Sequence, residues 1–273
     1  MTNFWETVLN FAQTTTQEVG QQLLLDWGSV QADEKSDGSL VTRADRWADQ
    51  EIRHRIAKAF PEHGLLSEEG EHLFPLTEWC WIIDPIDGTT NFTCGLPIWG
   101  TLMGLLYQGT PVFGYVHLPV LNQSFHGFWL KNSGLTGING AFCNQEPIHA
   151  SLEPPSSHHF LSLCSRSARI IPNVPYKIRL LGMAGYNLLM VASGLAIGGI
   201  EATPKVWDIA GIWPILYAAG ASCTPLNTDS IFPLKPGVNY GQCSYPMLVV
   251  SQQQWVSKFL PLTEALTIKM QLK

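Results

Sequence analysis

Charge is scarce in this 273-residue chain: Asp, Glu, Lys and Arg make up 14% of it, and the formal net charge is -6. There is no run of lysines and arginines. Phosphate backbones and anionic membranes are gripped by clustered cations, so neither nucleic acid nor a membrane surface is an expected partner. No stretch reaches the roughly 18 uninterrupted apolar residues that a membrane span requires. The N-terminus, Met1-Thr2-Asn3-Phe4-Trp5-Glu6, lacks the basic-then-apolar order of a signal peptide. Cys80, Cys94, Cys143, Cys164, Cys223 and Cys243 include no C-x-x-C pair. Scattered in this way they read as buried thiols in a reducing compartment, not as a disulfide frame or zinc site. The 8 histidines show no ligand spacing. Internal repeats and low-complexity tracts are also missing. What remains as the simplest class is a cytoplasmic enzyme.

Hydrophobic residues make up 45% of the chain, enough for a sizeable core. That suits one large domain or two subdomains sharing an interface. Apolar positions at helical spacing predict a first helix over 4–25. Ala44, Ala48, Ile52, Ile56 and Phe60 recur every four residues and predict a second, closed by Pro61. Between them Lys35-Ser36-Asp37-Gly38-Ser39 has turn chemistry. Trp79-Cys80-Trp81-Ile82-Ile83 reads as a buried strand. Runs at 98–106, 111–118 and 124–130 suggest an antiparallel meander, and Asn139-Gly140 suggests a hairpin turn. The polar segment Glu153-Pro154-Pro155-Ser156 marks a junction between an N-terminal α+β part (1–150) and a C-terminal α/β part (151–273). The second part alternates strand-like and helix-like runs at 160–164, 184–197, 208–220 and 247–250, with a last helix from about Gln253. Pro214 lies inside the run 208–220, so that helix kinks there or starts nearer to Pro214.

The most informative segment is Asp84-Pro85-Ile86-Asp87-Gly88-Thr89-Thr90. An Asp-Gly pair after a strand is by itself an ordinary turn. Here an apolar strand, two acids, a glycine and two threonines occur together. Two carboxylates suit a hard cation such as Mg2+, which prefers oxygen ligands and often bridges protein carboxylates to a phosphate. Gly88 lets the backbone approach a ligand, and a helix starting at Thr89 offers N–H groups to an anion. The spacing D-x-x-D-G-T differs from the D-x-D-G-T of haloacid-dehalogenase-type phosphatases, which argues against an aspartyl-phosphate intermediate. An EF-hand calcium loop is disfavoured because its later bidentate Glu is missing.

The chain resembles the inositol monophosphatase family of Mg2+-dependent, lithium-sensitive sugar phosphatases. The resemblance rests on four blocks in order: Lys35 with Asp37 to Asp45, Leu66-Ser67-Glu68-Glu69, Trp81 to Phe92, and Val206-Trp207-Asp208-Ile209-Ala210-Gly211. A weaker echo spans Gly182 to Gly194. It implies a layered α-β-α-β-α sandwich, with an antiparallel first sheet, a mixed second sheet and a site between them, in a homodimer. It implies two or three Mg2+ ions, held by Glu68, Asp84, the Ile86 carbonyl, Asp87 and Asp208. Glu68 and Thr89 would orient the attacking water, with Asp45 behind Thr89. The N–H groups of Gly88 and Thr89 would hold the phosphate, with Gly182, Met183, Ala184, Glu201 and Asp208 bordering the rest of the substrate. Glu201 stays open between a contact to sugar hydroxyls and an exposed loop acid.

The expected reaction is hydrolysis of a small phosphate monoester, inositol monophosphate foremost, without a covalent intermediate. Histidinol phosphate, fructose 1,6-bisphosphate and a 3′-phosphonucleotide are alternative substrates, and a regulatory binding protein on the same fold is an alternative role. The sequence departs from the family pattern at several places. Ser67 stands where Gly is usual, Met183 where Thr or Ser is usual, and Ala184-Gly185 replaces Ala-Ala. Ala219-Gly220-Ala221-Ser222-Cys223 lacks the usual Glu-Ala-Gly-Gly. Cys164-Ser165-Arg166-Ser167 echoes the Ser-Arg-Ser of nucleotide-phosphate relatives.

Overall fold

The fold is described from a computed structural model, for residues 2–267 except 36, 37, 39, 132 and 229. Asp37 and Ser39 of the first family block lie outside the described residues. Helix α1 (Thr2–Asp26) is followed by a two-stranded ribbon, β1 (Ala32–Glu34) and β2 (Leu40–Thr42). Helix α2 (Arg43–Ala59) starts at once from Thr42, whose hydroxyl accepts the Ala44 and Asp45 N–H groups while Asp45 reaches back to Thr42. This capping box fixes where the helix begins. Both helices match the sequence expectation to within two residues.

The first sheet runs β3 (Gly64–Ser67), β4 (Trp79–Asp87), β5 (Gly100–Tyr107), β6 (Thr110–Leu118), β7 (Gln123–Phe128), β8 (Gly140–Cys143) and β9 (Glu146–Pro147) in spatial as well as chain order. Every pair is antiparallel except β3 with β4. A short helix α3 (Thr89–Thr93) leaves β4. The Asn139-Gly140 hairpin is not formed. Gly140 opens β8, and the Asn139 side chain instead accepts the Leu130 N–H at 2.7 Å. The tight turns are Gln108-Gly109 and Asn144-Gln145, all four residues having positive φ.

The second sheet comprises β10 (Phe160–Leu163), β11 (Lys177–Arg179), β12 (Gly198–Glu201), β13 (Ser222–Pro225) and β14 (Met247–Val250). Its spatial order is β11-β10-β12-β14-β13. It is mixed: β10 pairs parallel to β11 and β12, and β14 pairs antiparallel to β12 and β13. Helix α4 (Ala184–Ala192) precedes β12. The single helix expected over 208–220 is two, α5 (Val206–Ala210) and α6 (Trp213–Ala218). Pro214 lacks a donor, and it is tolerated because it sits in the first turn of α6. The last helix is likewise broken: short helical turns follow one another from Gln253, with Pro261 among them.

Three cores fill the four interfaces between five layers, the central one reaching both sheets. Trp81, Ile83, Met103 and Phe113 pack under α1 and α2. From the opposite face, Ile82, Leu102 and Val116 pack on α4 to α6. The second sheet covers those helices and buries Leu161, Ile200 and Leu248 against the C-terminal turns. Strand β4 is therefore buried on both faces, which is why its sequence is continuously apolar and does not alternate. One device sets α5 and α6 close to the first sheet. Gly104, Gly114 and Gly127 are cross-strand neighbours in one row. A Cβ at Gly104 would lie 2.7 Å from Ala210 C, and one at Gly127 2.7 Å from Ile215 Cα. The row is a flat backbone track on which the loop and helices bearing Asp208 rest.

Candidate active site

The site starts where β4 loses regularity. In an ideal strand Asp84 and Asp87, three apart, would point to opposite faces. The pairing of β4 with β5 shifts register between them, and Pro85 supplies no ladder donor. Asp84 Oδ1 accepts the Ile86 N–H at 3.1 Å, and Thr101 donates to the Pro85 carbonyl at 2.8 Å. This local turn brings both carboxylates to one cavity. Gly88 follows with φ 89, a conformation that suits glycine.

Two other helices complete the cluster. The N-terminus of α4 points at Asp87, with Ala184 N–H 3.2 Å from Oδ1 and Gly185 N–H 2.6 Å from Oδ2. The helix dipole and its free donors favour that anion. A Cβ at residue 185 would lie 2.9 Å from the same oxygen, so Gly185 permits this approach. Asp208, in the first turn of α5, accepts the Lys205 N–H at 2.6 Å. Ligand atoms of Asp84, Asp87 and Asp208 lie within 4.8 Å of one another. Glu68, just beyond β3, is within hydrogen-bonding reach of Asp84, as is Asp208.

Burial dominates the electrostatics. It pushes the Glu68 carboxyl up to about 7, the nearby Asp208 and Glu69 adding to its effect while Lys35 opposes it. Burial likewise raises Asp87 and Asp208 to about 7, and Asp84 well above the usual carboxylate range. Such a group of acids is costly to keep ionised without cations. Among the described residues no lysine, arginine or histidine forms an ion pair with Asp84, Asp87 or Asp208. Dense, buried, unpaired oxygen donors are what a hard divalent cation requires, so the residues fit Mg2+. Glu68 differs: Lys35 Nζ lies 2.8 Å from it and 2.5 Å from Glu69.

Asp45 is 2% exposed and works on both sides. One oxygen closes the α2 capping box, and the other accepts the Thr89 hydroxyl at 3.3 Å. The Thr89 hydroxyl also lies 3.0 Å from the Ile86 carbonyl. Gly88 N–H leans on Asp87. Glu201 is not an exposed loop acid. It ends β12, is 3% exposed, and accepts Asn187 Nδ2 at 2.7 Å. Burial pushes its carboxyl up to about 8. Gly182, Met183 and Ala184 join Glu68, Asp84, Ile86, Asp87, Gly88, Thr89, Glu201 and Asp208 around one cavity of about 750 Å³.

Sequence reasoning missed three supports. Asn187 on α4 is 1% exposed and holds Glu201, Ser162 and the Leu181 N–H together. Its helical spacing from Met183 was the available signal. Ser67, the departure from glycine, donates to Asp49 and ties β3 to α2. The donors at 184 and 185 could be found only from the fold, since Asp87 is about a hundred residues away in sequence.

Fold and site together define a phosphoric monoester hydrolase of the layered α/β type. Residues 5–258 match the inositol monophosphatase family, and the chain belongs to it. A fructose-1,6-bisphosphatase/inositol-1-monophosphatase of Thermotoga maritima is 33% identical over 224 residues, covering 79% of this chain and 84% of that protein. A histidinol-phosphatase of Chlorobaculum parvum is 30% identical over 226 residues, covering 79% and 84%. Among solved structures, a Thermotoga maritima IMPase superposes with a TM-score of 0.81 at 27% identity, covering 96% of this chain and 98% of that one.

Proposed function

We propose that the protein hydrolyses a small hydroxylated phosphate monoester, with inositol monophosphate as the first substrate to test, in a Mg2+-dependent reaction without a covalent intermediate. The observation that carries the reading is the convergence of Asp84, Asp87 and Asp208, none of them in an ion pair with a basic side chain among the described residues. Glu68, Asp84, the Ile86 carbonyl, Asp87 and Asp208 are the residues that would hold two or three Mg2+ ions. Bound Mg2+ supplies a Lewis acid for the phosphoryl oxygens and lowers the pKa of water toward neutrality.

The protein's own groups do the rest. Thr89, anchored by Asp45 and Ile86, and Glu68 orient the attacking water. Backbone N–H groups of Gly88 and Thr89 hold the phosphate. Gly182, Met183 and Ala184 bound the leaving group, and Glu201, fixed by Asn187, reads its hydroxyls. In-line attack by water needs no protein nucleophile. The reading includes a homodimer that works in the cytoplasm. The printed activities of the Thermotoga and Chlorobaculum relatives make fructose 1,6-bisphosphate and histidinol phosphate the natural companions in a substrate panel. The test is phosphate release from inositol monophosphate with and without Mg2+, for wild type and Asp87→Asn. Release that needs Mg2+ and fails in the variant supports the reading. Release that survives chelation, or survives the substitution, contradicts it.

A further inference from the structure

The imidazole of His72 touches three separate segments of the chain. Its Nε2 lies 2.8 Å from the Glu68 carbonyl. A carbonyl only accepts, so Nε2 carries the hydrogen and donates it. The ring also stacks on Trp207, with centroids 4.8 Å apart and planes at 26°. Trp207 is 6% exposed and immediately precedes Asp208 on α5. The third segment is at Gly241, where a Cβ would overlap His72 Nδ1. One ring thus joins the backbone of Glu68 to the helix that carries Asp208.

The ring is itself held in place. His72 accepts the Tyr240 N–H at its carbonyl, Phe74 donates to the Val238 carbonyl, and Gly237 donates to the Phe74 carbonyl, each at 2.9 Å. Leu73 bridges Asn239 antiparallel between these bonds. The same C-terminal segment reaches α5 on its own account. Lys205, just before α5, donates Nζ to the Gly241 carbonyl at 2.9 Å, and Tyr245 N–H donates to the Pro204 carbonyl at 2.8 Å. Glu68 and Asp208 line one cavity. Like charges favour separation, so the spacing between these two acids has to be imposed by the structure around them.

We infer that His72 is a positioning residue that fixes the spacing between Glu68 and Asp208 and so fits the site to a small divalent cation. The inference rests on the proposed Mg2+-dependent hydrolase reading. His72 acts through Glu68 and Trp207, which line the cavity while His72 does not. Mg2+ demands near-octahedral oxygen ligands about 2.1 Å away, whereas Ca2+ accepts longer and looser coordination. Loss of a partner behind a metal ligand costs about 10-fold or more in metal affinity. A slackened Glu68 is therefore felt by Mg2+ and hardly by Ca2+.

The test titrates Mg2+ and Ca2+ separately into the metal-free full chain by calorimetry, with urea unfolding of each variant alongside. His72→Phe keeps a ring against Trp207 and drops the donor, while His72→Gln keeps a donor and drops the ring. His72→Phe is expected to raise the Mg2+ Kd about 10-fold and the Ca2+ Kd by no more than about twofold. His72→Gln should recover most of the Mg2+ affinity. Should His72→Phe fail to fold, Gly241→Ala displaces the imidazole without altering it and should show the same loss confined to Mg2+. A fall in urea midpoint with both Kd values unchanged, or a parallel rise in the two, gives His72 a merely structural role and overturns the inference. A His72→Gln variant as impaired as His72→Phe overturns it too, since the donor would then not be what positions Glu68. A wild type that binds no Mg2+ overturns the Mg2+-dependent reading, and this inference with it.

Discussion

Gly114 and Gly211 meet backbone to backbone: a side chain at residue 114 would overlap the Gly211 carbonyl. Gly211 directly follows α5, the helix that carries Asp208. The contact therefore sets how close Asp208 comes to the Asp84 turn. Gly114→Ala is expected to destabilise the protein by about 3 kcal/mol, as overpacking of a tight contact does. It should also weaken Mg2+ binding. Urea unfolding and a Mg2+ titration of the same variant check both. A variant with unchanged stability and Mg2+ affinity would show that the track does not position Asp208.

Asn187 makes a second positional prediction. Its amide is shared between Glu201, Ser162 and the Leu181 N–H. Removing it leaves several buried polar groups without partners, at a cost of about 1–3 kcal/mol for each donor or acceptor left unsatisfied. Asn187→Ala should lower the urea midpoint and raise KM more than it lowers kcat, because Glu201 loses its anchor and the carboxylate cluster does not. An equal fall in kcat with unchanged KM would place Asn187 in the chemistry instead.

Protons and Mg2+ should compete. In the metal-free protein, burial raises Glu68, Asp87 and Asp208 to about 7. A folded-state pKa above the unfolded value means that these acids favour the fold when protonated. Their contribution is complete below about pH 4 and is lost as pH rises through 7. Mg2+ binding must expel those protons. Calorimetry at pH 6.5 in buffers of different ionisation enthalpy is expected to show proton release, and the Mg2+-induced rise in Tm should be larger at pH 8 than at pH 6. Binding without proton release would contradict this.

Removing one of these costly buried carboxyls predicts that Asp84→Asn is more heat-stable than wild type at pH 8 without Mg2+, and gains little when Mg2+ is added. Asp84 is 1% exposed and faces both Glu68 and Asp208, to either of which an amide could donate. Thermal unfolding with EDTA and with Mg2+ reads the crossover. A variant less stable than wild type under EDTA would mean that the ionised cluster does not strain the fold.

His126 titrates in the opposite sense. Burial pushes its imidazole down to about 4, and the ring stacks on Phe142 at 4.8 Å. Between pH 6.5 and 4 the unfolded chain binds a proton that the folded one refuses. Stability from this group is thus lost as pH falls through that window, by up to about 1.4 kcal/mol per pH unit. His126→Gln should lose less stability than wild type between pH 7 and pH 5 in urea melts. Parallel losses would show that His126 is not the group responsible.

Local patterns carried much of the fold. The four-residue repeat from Ala44 to Phe60 marked α2, and the apolar run from Trp79 marked a strand buried on both faces. The Asp84 to Thr90 segment exposed the site because both acids and the glycine lie in one turn. What was illegible depended on register. Gly104, Gly114 and Gly127 look like unrelated glycines until three strands pair and align them. Asn139-Gly140 looked like a turn because the sequence does not reveal that Asn139 is spent on Leu130. Glu201 could not be placed from its neighbours, since its burial comes from Asn187 and the turn after β10.

A crystal grown with Mn2+ and measured at the manganese absorption edge addresses the heart of the account. The expected result is anomalous density among Asp84, Asp87 and Asp208, with the Ile86 carbonyl bound and Glu68 released from Lys35. Density elsewhere, with those three aspartates bonded only to protein groups, would contradict it.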